Sequence, residues 1–241
     1  SRIMNSFFAR RHRVVAVDMP GFGKSGAPAA LYNGAYFANT LVAIANQLNL
    51  EDGVFVGWSL GGDMILQAAP QLTQAKGFFL LGTAPVGFDP NLPPQFLTPE
   101  ESPAGDAVNF GFNPSLDDTQ IRQFVNGFFD VNFFDIPLFL YEDSLLTDPN
   151  TRLAVFLAAT GQDPTFLDEI QVIRNLQKPV ALVVGENDAF VRQEFLQALA
   201  PSIPNLYQGN VVVIPEAGHA AQWERPIYFN ALLRNFIDSV R

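Results

Sequence analysis

A chain of 241 residues that is 48% hydrophobic can bury one large core, alone or with a sizeable insertion, and its 18 glycines and 18 prolines fall short of a low-complexity composition. Its formal charge of −10, from 24 Asp and Glu against 14 Lys and Arg, repels phosphate backbones and anionic lipid, so neither nucleic acid nor a membrane surface is an expected partner. The lack of cysteine removes disulfides, thiol nucleophiles and thiolate metal sites, and two histidines, His12 and His219, are too few for a His-rich metal centre; no metal or cofactor is expected, and a nucleophile must be Ser, Thr, Asp, Glu or Lys.

Along the chain, Arg10, Arg11 and Arg13 form a short basic run that reads as a solvated surface turn, with His12 solvated among them. Short β-branched runs then alternate with helical patterns, which predicts a mainly parallel sheet flanked by helices. The predicted strands are 14–18, 54–58, 78–81, 180–184 and 211–214, each read as buried. Between the first two, Phe37, Leu41, Ile44, Ala45 and Leu48 recur at helical spacing, and similar patterns occupy 63–69, 195–199 and 227–237. From Pro85 to about Pro164 the regularity breaks, and no strong strand pattern is present. This reads as a helical cap insertion, residues 85–164, between two parts of the core, 1–84 and 165–241. Its eleven phenylalanines exceed what short helices can bury. Two readings of them stand side by side: rings facing a ligand cavity, or rings gluing the insertion to the sheet. Trp58, Phe128, Phe133 and Phe134 are the candidate substrate-binding residues. No apolar run reaches membrane-spanning length and the start has no signal-peptide core, so a cytoplasmic location is expected.

Gly57-Trp58-Ser59-Leu60-Gly61 is a GxSxG pentapeptide set directly between a predicted strand and a helical stretch. A serine on so tight a turn needs small residues two before and two after it, where the backbone presses on adjacent elements, and Gly57 and Gly61 fill those positions. The amide of Leu60, at the helix N-terminus, can donate to a developing oxyanion. A serine hydroxyl needs an imidazole to take its proton and a carboxylate to hold that imidazole in one tautomer. Asp188 and His219 follow in that order, each just past a predicted strand, at the sheet edge where open α/β proteins gather their sites. Ser59, His219 and Asp188 are therefore the candidate nucleophile, base and acid, with Glu186 and Asp163 as rival acids. One decoy lies at 21–26, where Gly21, Gly23 and Gly26 satisfy GxGxxG. Asp18 occupies the place of the first glycine of a phosphate loop, and Pro28 follows where a helix would have to open, so a glycine-rich turn is expected.

The stretches 17–25, 57–62, 185–188 and 217–219, with Pro226, together resemble the α/β-hydrolase superfamily across nearly the whole chain outside the insertion. Within it, 55–62, 82–86, 188–191 and 205–209 are similar to the α/β-hydrolase-type N-acyl homoserine lactonases, although Asp188 stands where that family has glutamate. The resemblance implies a cofactor-independent serine hydrolase acting on a small ester or lactone through an acyl-enzyme, and, for the subfamily, quorum quenching. Ser59 in place of Asp argues against epoxide hydrolase and dehalogenase chemistry. A broad carboxylesterase, a cofactor-free haloperoxidase, a C–C bond hydrolase and a slowly turning small-ligand receptor on the same fold stay open. Hydrolases of this fold also carry a His-Gly loop for the second oxyanion amide, which the chain lacks. That donor and the first strands are expected upstream of Ser1.

Overall fold

The computed structural model describes residues 8–26 and 32–241. At its centre four parallel strands lie side by side in chain order: β1 (Val54–Trp58), β2 (Gly77–Leu81), β3 (Val180–Gly185) and β4 (Val212–Ile214). Four of the five predicted strands are recovered, with ends moved by at most one residue. Every residue of β2 and β3 is buried, as a parallel strand covered on both faces requires.

Alternate residues of β2 supply two separate cores. Phe78 and Leu80 face the first core, with Leu182 and Val184 of β3. Helices α2 (Gly34–Leu48), α3 (Leu60–Ala68), α7 (Glu169–Asn175) and α8 (Gln193–Leu199) pack there through Ala45, Leu66, Ile170, Ile173, Phe195 and Leu196. Phe79 and Leu81 face the second, closed by Phe229, Leu233 and Phe236 of α10 (Pro226–Ser239), with the short α9 (Ala221–Glu224) ahead of it. The ends of α2 follow from its sequence. The Asn33 side chain accepts from the Tyr36 amide at 2.8 Å, and Asn49 turns left-handed at φ 52° to stop the helix.

Two expectations near the start are corrected. Residues 14–18 form no strand: they lie outside the sheet, with Val15 and Val17 exposed and only Val14 packed against the second core. Branched side chains favour a strand, but only ladder partners make one. The basic run is exposed at Arg10, Arg11 and Arg13 as expected, but it is not a turn: Arg10 and Arg11 lie in α1 (Phe8–Arg11), His12 is half-buried, and Arg13 Nη1 donates to the Leu48 carbonyl at 2.6 Å. The glycine-rich decoy is a turn, held by the Asp18 carboxylate accepting from the Lys24 amide at 3.0 Å. The segment expected upstream of Ser1 lies outside the described residues.

Between β2 and β3 no strand of the sheet intervenes among the described residues. Instead a 3₁₀ segment (Gly105–Phe112) precedes α4 (Asp118–Gly127), α5 (Leu138–Leu146) and α6 (Pro149–Ala159). Asp117 and Gln120 form a reciprocal capping box on α4, and Asp148 caps α6 ahead of Pro149. No described helix is long and apolar enough to cross a membrane.

Candidate active site

Ser59 sits between β1 and α3 with φ 51° and ψ −126°, a conformation L-residues avoid. Its amide donates to the Leu81 carbonyl of β2 at 2.9 Å, and the Thr83 hydroxyl donates to its carbonyl at 3.1 Å, so the strained turn is fixed from both sides. Close approach explains two of the surrounding glycines. A Cβ on Gly57 would fall 2.6 Å from Gly62, and one on Gly62 would fall 1.9 Å from Thr83 Oγ1. Gly61 does not meet its expected constraint, since a Cβ there would find open space. The crowded residue is three after the serine because α3 turns its next position into the Thr83 loop. Leu60 opens α3, where backbone amides have no acceptor within their own helix.

The loops after β3 and β4 bring Asp188 and His219 together. Both are buried, and His219 Nδ1 donates to Asp188 Oδ2 at 2.8 Å. The other carboxylate oxygen accepts from the amides of Phe190 and Val191 at 2.9 and 3.0 Å, which fixes the carboxylate plane. The rival acids are engaged elsewhere: Glu186 is exposed and accepts from the Glu216 amide, while Asp163 accepts from the amides of Gly34 and Thr165.

The imidazole is walled by rings of Phe190, Trp58 and Phe128, with centroids 5.0, 5.7 and 5.7 Å away. Trp58 Nε1 also donates to the His219 carbonyl at 2.8 Å, tying the end of β1 to the histidine loop. Gly82, with φ 56°, leaves room for this pair: a Cβ there would lie 2.9 Å from His219 Nδ1. Behind the loop, Glu224 accepts from the amides of Asp130 and Gly218, each at 2.7 Å.

Ser59, Leu60 and His219 open onto one cavity of about 540 Å³ between the strand ends and the inserted helices. Its wall includes Trp58 and Phe128 together with Phe96, Phe112, Phe124 and Phe190. Phe133 and Phe134 are not part of it: Phe133 stacks on Phe129 with centroids 5.2 Å apart, and Phe134 is 88% exposed. Both readings of the phenylalanines thus hold for different rings, since Phe110 and Phe129 are buried as packing.

Polar residues that the sequence did not single out also reach this cavity. Asp63, one helical turn after Ser59, has Oδ1 buried with no hydrogen-bond partner, and burial pushes its carboxyl up to about 7. Glu169, behind it, accepts from Gln67 Nε2 at 2.9 Å and from the Val86 amide at 2.8 Å. Burial first and the Asp63 charge second hold the Glu169 carboxyl well above its ordinary range. The four-residue spacing of Ser59 and Asp63 was a usable signal; Glu169 is 106 positions further on, and its approach depends on the tertiary fold.

A family model described as alpha/beta hydrolase fold matches residues 1–226. The chain is 28% identical, over 95% of its length, to the dihydrolipoyllysine-residue acetyltransferase component of the acetoin cleaving system of Cupriavidus necator, and 23% identical, over 94%, to bifunctional epoxide hydrolase 2 of Sus scrofa. It spans about half the length of these two relatives, 57% and 46%. A crystal structure of the N-acyl homoserine lactonase AidH complexed with N-butanoyl homoserine superposes with a TM-score of 0.85 at 25% identity, covering 99% of this chain and 83% of that one. By the match over residues 1–226, and with its parallel sheet flanked by helices, the chain belongs to the α/β-hydrolase fold family.

Proposed function

We propose that the protein is a serine hydrolase that opens a carboxylic ester or lactone through an acyl-enzyme, with an N-acyl homoserine lactone as its best-fitting substrate. The observation that carries the reading is the buried Asp188–His219 pair, whose imidazole opens onto the same cavity as the strained Ser59 turn. His219 takes the Ser59 proton as the hydroxyl attacks the carbonyl, and the Leu60 amide donates to the oxyanion. The tetrahedral adduct collapses, the ring oxygen leaves with the proton from His219, and water activated by the same imidazole releases the acid. Asp188, held by two backbone amides, fixes the imidazole tautomer and stabilises its cation.

The inserted segment 85–164 acts as a cap in this reading, since it supplies the apolar wall on which an acyl tail would lie. Each methylene buried there contributes about 0.8 kcal/mol, so affinity rises with tail length until the cavity is full. The likeness to the AidH structure supports the lactone head group. The test compares homoserine lactones of increasing acyl length with p-nitrophenyl esters, using Ser59→Ala as control. Lactone turnover far above that control, rising with chain length, is expected. Short linear esters reacting while lactones stay at background would make the protein a carboxylesterase, and no turnover above Ser59→Ala on either class would make it a ligand receptor.

A further inference from the structure

We infer that the cavity contains an anion-binding subsite built on Arg152, and that the preferred substrate carries a carboxylate on its acyl portion, away from the bond that is cleaved. The inference rests on the reading of this cavity as the active site and narrows its substrate class.

Arg152 lies on α6 and forms part of the cavity wall, where it is the only lysine or arginine among the described residues. It is 8% exposed. A guanidinium has five N–H donors, yet among the described residues Arg152 makes a single long hydrogen bond, from Nη2 to the Ser144 carbonyl at 3.3 Å. Among the described residues no carboxylate pairs with it, although Asp18, Asp63 and Asp143 line the same cavity.

A buried cation without a partner is costly, and proteins ordinarily compensate one with a carboxylate. The half-buried arginine side chains of the described structure follow that rule: Arg174 pairs with Asp89 and Arg192 with Glu101. The nitrogens of Arg152 are not among the sealed, unpaired polar atoms. Its unused N–H groups therefore open onto accessible space, and the space this residue lines is the cavity.

The occupant that offsets such a cation is a planar oxyanion, which a guanidinium engages with two parallel hydrogen bonds. The protein as a whole carries −10, so its long-range field repels anions; a local cation inside the cavity supplies the attraction that the surface withholds. A wholly apolar tail would leave the charge uncompensated. A half-ester of a dicarboxylic acid, or a lactone whose acyl tail ends in a carboxylate, would satisfy it.

Calorimetric titration tests this without turnover, using the Ser59→Ala protein with monomethyl adipate and methyl hexanoate, which differ by the terminal carboxylate. Binding of monomethyl adipate at least about tenfold tighter is expected, and adding Arg152→Met should remove that preference while leaving methyl hexanoate within about twofold. Arg152→Lys should retain part of it, as a point charge without the fork. Equal affinity for the two probes overturns the inference even if no Arg152 variant folds, and so does an equal loss of both in Arg152→Met, which marks a merely structural residue. Carboxylate preference without ester turnover in the Ser59 protein would sink the hydrolase reading and leave the subsite standing. Turnover without the preference would do the reverse.

Discussion

Replacing Asp63 by asparagine should flatten the pH dependence of stability, and the size of the effect follows from where this carboxyl sits. Burial raises its pKa from the ordinary 3.8 to about 7, so the folded protein holds a proton that the unfolded chain releases. For an acid displaced upward, the stabilisation is fully present below the unfolded pKa, is lost as pH rises through the interval from 3.8 to about 7, and is gone above it. Three powers of ten in proton affinity at about 1.4 kcal/mol each set the loss at about 4 kcal/mol. Glu169 is displaced in the same direction, in part by the Asp63 charge, so the two carboxyls titrate as a pair and the loss belongs to the pair. Asp89, Glu101, Asp130 and Asp163 are held below their ordinary values and give the opposite slope, stabilising above their unfolded pKa. They are common to both proteins, so their effect cancels in the difference between variant and wild type. Urea denaturation followed by the fluorescence of Trp58 and Trp223 at pH 5 and pH 8 measures that difference. Asp63→Asn should gain about 2–4 kcal/mol on the wild type between the two pH values. Parallel stability curves would show that the Asp63 carboxyl is solvated or partnered and holds no extra proton in the folded protein.

Four further outcomes are expected. Ser59→Ala and His219→Ala should each abolish acyl transfer, whereas Asp188→Asn should leave a residue of about one part in ten thousand, because its amide would face the imidazole with the wrong hydrogen-bonding group; more than half of wild-type kcat in Asp188→Asn would move the role to another carboxylate. Gly82→Ala should cost only about 1 kcal/mol of backbone strain yet lower kcat/KM by about a hundredfold, since its methyl would press on the imidazole 2.9 Å away; a thermal melt beside full kinetics separates the two, and unchanged kinetics would disprove the crowding. Glu224→Gln presents an N–H to one of the two amides it now accepts from, so kcat should fall about tenfold with little change in Tm, and wild-type kcat would show that this tie does not position the His219 loop. Phe128→Ala should weaken long-chain substrates more than short ones, while Phe134→Ala, on an exposed ring, should leave the chain-length profile unchanged.

How much of this was legible in the sequence depends on the range of the interaction involved. Strands β1 to β4, helix α2 and the Ser59 turn rest on short-range signals: branched runs, helical spacing and glycines within a few residues of the serine. The order of Ser59, Asp188 and His219 along the chain was readable for the same reason, because each follows its own strand. The tertiary structure decided what distant segments do to one another. It left residues 14–18 outside the sheet, since a strand exists only where a ladder partner stands beside it. It shifted the crowded glycine from 61 to 62 by setting Thr83 against α3, and it divided the phenylalanines of the insertion between cavity wall, packing and surface. The roles of Asp63, Glu169 and Arg152 in or behind the cavity were hidden because composition and local pattern carry no information on desolvation: burial is a property of everything that surrounds a side chain, and that is assembled only when the chain folds.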